Sequence, residues 1–197
     1  MTPAAILLSV PTPGLQPGPL ASAAIGAVLR HAHDGMLPMF ARTLGLSQAA
    51  LLQMLECCCP WLSYGSPVSE RKYATLMATA PALFGQLTAM LLSHRTPHAD
   101  AVHADWLARA IAAASLGRRF LWQDLGLQGR EEVGTLLREY FEPFYRRNVA
   151  DIKWKKFLFV ELGARQGEAA MPAPGCMHCA QFDDCYGKAA LSRGSVR

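Results

Sequence analysis

At 197 residues, with 51% hydrophobic and 17% charged residues, the chain has enough apolar matter for one core and too little length for two comfortable domains; it is not a disordered polymer. Its net charge of +4 is modest and shows no basic–aromatic interleaving, so nucleic acid is not an expected partner. No apolar run reaches the roughly 18 residues of a membrane span, and no Lys or Arg precedes Arg30 to form the basic start of a secretory leader, so a cytoplasmic protein is expected. In that reducing setting, clustered cysteines bind metal or do redox work more often than they form disulfides.

Ala and Leu dominate while Thr, Ile and Tyr are scarce, which favours helix over sheet. Residues 1–20 carry five prolines and no charge and read as a flexible lead-in. A helix is expected over residues 21–33, ended by Gly35 and Pro38. Ser47 is a candidate N-cap for a helix through AALLQMLEC that Pro60 stops. A long apolar pattern runs from Glu70 to His94, with Pro81 set to break it or to open a second helix. Asp100 starts an Ala-rich helix ending near Gly117. Gly129 precedes REEVGTLLREYFEPFYRRN, with Val133, Leu136, Leu137, Tyr140 and Phe141 on one face and a kink expected at Pro143. Asp151 is read as the cap of a further helix, IKWKKFLFVELGARQ. After Gly167 the helical pattern stops. The expectation is an all-α protein: a single helical domain over 21–170, followed by a cysteine-bearing C-terminal segment over 171–197.

That segment contains Cys176, Cys179 and Cys185 in GCMHCAQFDDCYG, separated by two and then five residues. Three thiolates so close in a Gly/Pro-flanked stretch can converge on one soft metal centre. The spacing excludes a c-type haem site, because Ala180 follows Cys179, and the missing βαβ context excludes a thioredoxin-type pair. Besides a segment that binds no metal, it leaves two readings open. One is a cubane-type iron–sulfur cluster. The other is a zinc site completed by a histidine, giving a zinc-stapled helical interaction protein. Cys57, Cys58 and Cys59 point in different directions if helical, so they read as small core residues or as the source of one extra ligand.

Three strings, FLWQDLGL (120–127), RNVADIKWKKF (147–157) and CMHCAQFDDCYG (176–187), in this order and spacing, resemble the NifQ family of nitrogen-fixation proteins. The resemblance covers roughly residues 83–187. It implies a carrier, not an enzyme, holding an iron–sulfur cluster of the [4Fe–4S] or molybdenum–iron–sulfur type. Such a carrier supplies molybdenum for the nitrogenase iron–molybdenum cofactor. Its implied partners are molybdate and the cofactor-assembly proteins, namely the iron protein and the scaffold, with no membrane and no nucleic acid. The family motif has four cysteines; Cys176, Cys179 and Cys185 match the last three, and Met171 stands at the first. Phe120 stands where the family usually has His, and Ser115 and Gly163 stand where cysteines are frequent. A degenerate paralogue without molybdenum transfer is the implied alternative.

Other residues are candidates for supporting roles. Lys153, Lys155 and Lys156 are read as a solvated helix face or as a contact for an anion or an acidic partner. Trp154 is read as a core anchor. Asp124 is read as a helix cap or as a residue that orients the metal centre from behind. His94, with His98 and His103, is a candidate nitrogen ligand. Asp183 and Asp184 are expected to face water. No Ser/His/Asp set, phosphate-cradling glycine loop or paired acid/base carboxylates announce catalysis.

Overall fold

The computed structural model describes residues 16–62, 69–168, 172–178 and 182–186, and every regular element among them is helical. In chain order the helices are α1 (Pro19–His33), α2 (Gln48–Cys58), α3 (Glu70–Ala78), α4 (Ala82–Leu92), α5 (Ala101–Ser115), α6 (Leu121–Asp124), α7 (Arg130–Tyr140), α8 (Glu142–Arg147), α9 (Trp154–Gln166) and α10 (Phe182–Tyr186). Short 3-10 turns lie at Met39–Arg42 and Cys176–His178. The all-α expectation holds. Helix α1 begins at Pro19, so the last two residues of the expected lead-in are helical.

Alanine sets the centre of the bundle. In α5, Ala104, Ala108, Ala110, Ala112, Ala113 and Ala114 are all buried, with Trp106, Leu107 and Ile111 beside them. A helix apolar over most of its surface must be covered on most sides. Its small side chains let α1, α4 and α6 pack directly onto it, while α9 closes against α4 and α7. One continuous core results, and it includes Phe40, Phe141 and Phe144, all almost fully buried.

The helix ends follow from local chemistry. Ser47 accepts from the Ala50 amide at 3.3 Å, and the Asp100 carboxylate accepts from Val102 and His103 at 2.9 Å each, as their positions predicted. Pro81 becomes the N-cap of α4, which meets α3 at 81°. The break in the 130–147 stretch falls at Phe141, two residues before Pro143. The proline at the second position of α8 has no N–H to give, and Thr96 takes up what is freed: its amide donates to Tyr140 O at 2.9 Å and its hydroxyl accepts from Glu142 N at 2.9 Å.

One expected cap is displaced. Asp151 does not cap α9; it has φ of +48°, lies outside the helix and pairs with Arg130 at 2.7 Å. The turn is held instead by the Asn148 side chain, which accepts from Ile152 N at 3.0 Å and donates to Ile152 O at 2.9 Å. This delays the start of α9 to Trp154. Gly167, left-handed at φ +69°, ends it. Among the described residues no single helix is long and apolar enough to cross a membrane.

The closure between α6 and α9 depends on buried charge. Asp124 is completely buried; its Oδ1 accepts from Arg119 Nε at 2.9 Å, and Lys155 Nζ lies 3.6 Å from its Oδ2. Lys155 also donates to Gly117 O at 2.9 Å and Arg119 O at 2.7 Å. Removing one member of such a set leaves an uncompensated charge. Lys155→Ala is therefore expected to cost about 3 kcal/mol, read as a lower urea midpoint with the helical circular dichroism of the folded state retained.

Candidate metal centre

The three recognisable strings meet in space. The turn from α5 into α6, the first turn of α7, the start of α9 and the tail together line one cavity of about 670 Å³. The first string contributes Phe120, Leu121 and Trp122, the second Lys153, Trp154 and Lys156, and the third Cys176, Cys185 and Tyr186. Phe120 and Trp122 lie nearly parallel, 5° apart with centroids 6.3 Å apart, and with Val133 they give the cavity an apolar wall. Arg118, Lys153 and Lys156 bring positive charge to it. Predominantly apolar walls with a few placed polar groups are the usual make-up of a ligand site, and this volume is within the usual range.

The neighbouring lysines of α9 do three different things. Lys155 turns inward to Asp124 and is buried. Lys153 stands exposed at the cap of the helix. Lys156 is half-buried; its ammonium donates to Cys185 O and sits 5.2 Å from the centre of the Tyr186 ring. Trp154 is buried, stacked on Tyr145 at 5.5 Å and edge-on to Phe157 at 6.1 Å, which makes it a core anchor as well as a wall. Asp124 serves as a tie under the wall instead of a simple helix cap. Its backbone carbonyl also meets His31 Nδ1 at 3.0 Å, joining α1 to the set.

The tail is docked by close packing. Ala173 is fully buried, and Cys176 N donates to Ala173 O at 2.8 Å. A Cβ on Gly175 would lie 2.2 Å from Gly117 O and 2.8 Å from Arg118 Cα, so only glycine lets the two backbones approach. Cys176 and Cys185 are both half-buried at the same cavity. Cys179 and Met171 lie outside the described residues. Among the described residues no three His, Cys, Asp or Glu side chains form a ligand group. Asp183 and Asp184 are exposed, as their charge required.

The remaining candidates sit elsewhere. None of Cys57, Cys58 and Cys59 lines this cavity. Cys58 and Cys59 are buried at the end of α2, and Cys59 Sγ lies 3.6 Å from Ser22 O in α1. Burial raises both thiols, Cys59 to about 11 against a modest opposing pull from Arg30, so they are protonated and inert at neutral pH. His94 does not line the cavity either; its Nδ1 meets Met90 O at 2.9 Å and its ring sits edge-on to Phe144. His98 is exposed, and His103 is buried against Trp106. Ser115 is fully buried and spends its hydroxyl on Ile111 O at 2.7 Å.

A profile of the NifQ family matches residues 23–187, most of the chain. The chain belongs to the NifQ family. Its relatives include Protein NifQ of Azotobacter vinelandii, 40% identical over 82 residues, which is 42% of each chain. Protein NifQ of Klebsiella pneumoniae is 35% identical over 81 residues, covering 41% of this chain and 48% of that one. Protein NifQ of Rhodobacter capsulatus is 28% identical over 175 residues, covering 86% of this chain and 92% of that one. The match to the Azotobacter and Klebsiella proteins thus spans less than half of their length. No solved structure matches. The NifQ family is involved in nitrogen fixation.

Residues not picked out as candidates from the sequence also shape the site. Arg118 and Arg119 precede the first string, and Tyr186 follows the last cysteine. A Gly175→Ala substitution tests the docking: it is expected to free the tail, seen as faster limited proteolysis at residues 172–186, while the urea midpoint of the helical core stays close to that of the unsubstituted protein.

Proposed function

We propose that this chain is a metallocluster carrier in nitrogen fixation. Cys176, Cys179 and Cys185 hold an iron–sulfur cluster that takes up molybdenum as cargo for the iron–molybdenum cofactor of nitrogenase. The observation that carries the reading is the convergence of the two long family strings and the described tail cysteines on one cavity. The donor set suits the cargo. Thiolate is the ligand that iron–sulfur clusters select, and two sulfurs of the motif border the same space. A cluster held by thiolates is anionic, and Arg118, Lys153 and Lys156 supply the compensating charge. The same cations favour the approach of molybdate, an oxyanion, and of an acidic face on a cofactor-assembly protein.

Three protein thiolates leave one metal corner of a cubane without a cysteine, and such a corner suits loading and release of molybdenum. The cavity beside the sulfurs leaves room for that exchange, and its aromatic wall limits water around the cargo. The work is carriage between partners in the reducing cytoplasm, without catalytic turnover.

Protein isolated without oxygen from cells supplied with molybdate is expected to contain iron, sulfide and molybdenum together, and Cys179→Ala is expected to lose all three. Zinc alone, or no metal even after anaerobic reconstitution with iron and sulfide, would make this chain a zinc-stapled or degenerate relative instead.

A further inference from the structure

Tyr186 sets a buried phenol hydroxyl beside the cysteine segment. Its ring stacks on Phe182, one turn earlier in α10, with centroids 5.0 Å apart and planes at 27°. The Lys156 ammonium lies 5.2 Å from the ring centre and also holds the Cys185 carbonyl, so ring and backbone are fixed by one cation. The hydroxyl oxygen is buried and makes no well-formed hydrogen bond among the described residues, although the Cys176 side chain and the Ala173 backbone are within its reach. A buried hydroxyl without a well-formed partner is costly, and a strong acceptor brought beside it removes that cost.

The surroundings of the hydroxyl identify that use. Cys176 and the Ala173 backbone face it, and Cys185 is its neighbour in the chain. A phenol keeps its proton at neutral pH and is an O–H donor there. A neutral thiol is a weak acceptor, whereas a thiolate is a strong one. Cys176 becomes a lasting thiolate when it ligates metal.

We propose that Tyr186 is a positioning residue for the metal-bound form, its hydroxyl donating an O–H···S hydrogen bond to the Cys176 thiolate. The inference rests on the cluster-carrier reading above. Hydrogen bonds to ligating sulfur draw electron density from the metal centre; they raise its reduction potential and help to hold the ligand in place. Phe182 and Lys156 are the parts that keep the donor aimed. A tyrosine next to the last cysteine thus does what extra main-chain donors do in other cluster sites.

The test uses full-length wild-type, Y186F and Y186L proteins reconstituted anaerobically with ferrous iron and sulfide. Iron per chain, midpoint potential and the rate of iron loss to a chelator are measured. Y186F keeps the ring, its stacking and its cation contact. It is expected to bind as much iron as wild type, at a lower potential, and to lose it several-fold faster. Y186L, which also removes the ring, is expected to bind less iron and to show the same lowered potential. A Y186F protein with wild-type potential and wild-type iron loss overturns the hydrogen bond while leaving the carrier reading intact. A wild-type chain that takes up no cluster overturns both.

Discussion

The structure around the cavity depends on a carboxylate buried where two helices and a turn meet. Asp124, with no exposed surface, must be compensated, and Arg119 and Lys155 compensate it from opposite sides. An isolated carboxylate in that position would cost several kcal/mol. The price is met only when α6 and α9 are in register, because Lys155 also needs the carbonyls of Gly117 and Arg119. The set therefore acts as a lock on geometry more than as a source of stability. It fixes the floor on which Phe120 and Trp122 lie and the turn on which Gly175 packs.

From that lock follows the division of labour in the lysine-rich string. Successive residues on a helix are about 100° apart, so one string of neighbouring lysines cannot face one way. Lys155 faces the core, Lys153 the solvent, and Lys156 the tail. The string thus links the buried anion, the cavity and the cysteine segment along a single turn of α9. That explains why a Lys-Trp-Lys-Lys-Phe pattern can be both a structural element and the cationic side of a ligand site.

Much of the fold is legible from sequence because its signals are local. Ser47, Asp100 and Gly167 mark helix ends through hydrogen bonds made within a few residues. Asp151 misleads for the opposite reason. Its role is set by Arg130, 21 residues away, and the capping work passes to Asn148. Phe141 as the break point is likewise decided at a distance, by Thr96. In the site, the cysteine spacing and the long strings identify the components, while their meeting in one cavity is a tertiary fact. The burial of Lys155 is hidden because its partner Asp124 is remote in sequence. The Cys57–Cys59 run reads first as core and second as the source of an extra ligand, and its packing against α1 supports the first.

The central claim is that the cavity edged by Cys176 and Cys185 belongs to a centre in which molybdenum joins an iron–sulfur framework. X-ray absorption at the molybdenum edge of protein isolated without oxygen addresses it most directly, because it reports which atoms surround the metal. Sulfur neighbours with iron behind them are the predicted result. Molybdenum surrounded by oxygen alone, as in a merely adsorbed oxyanion, would contradict it.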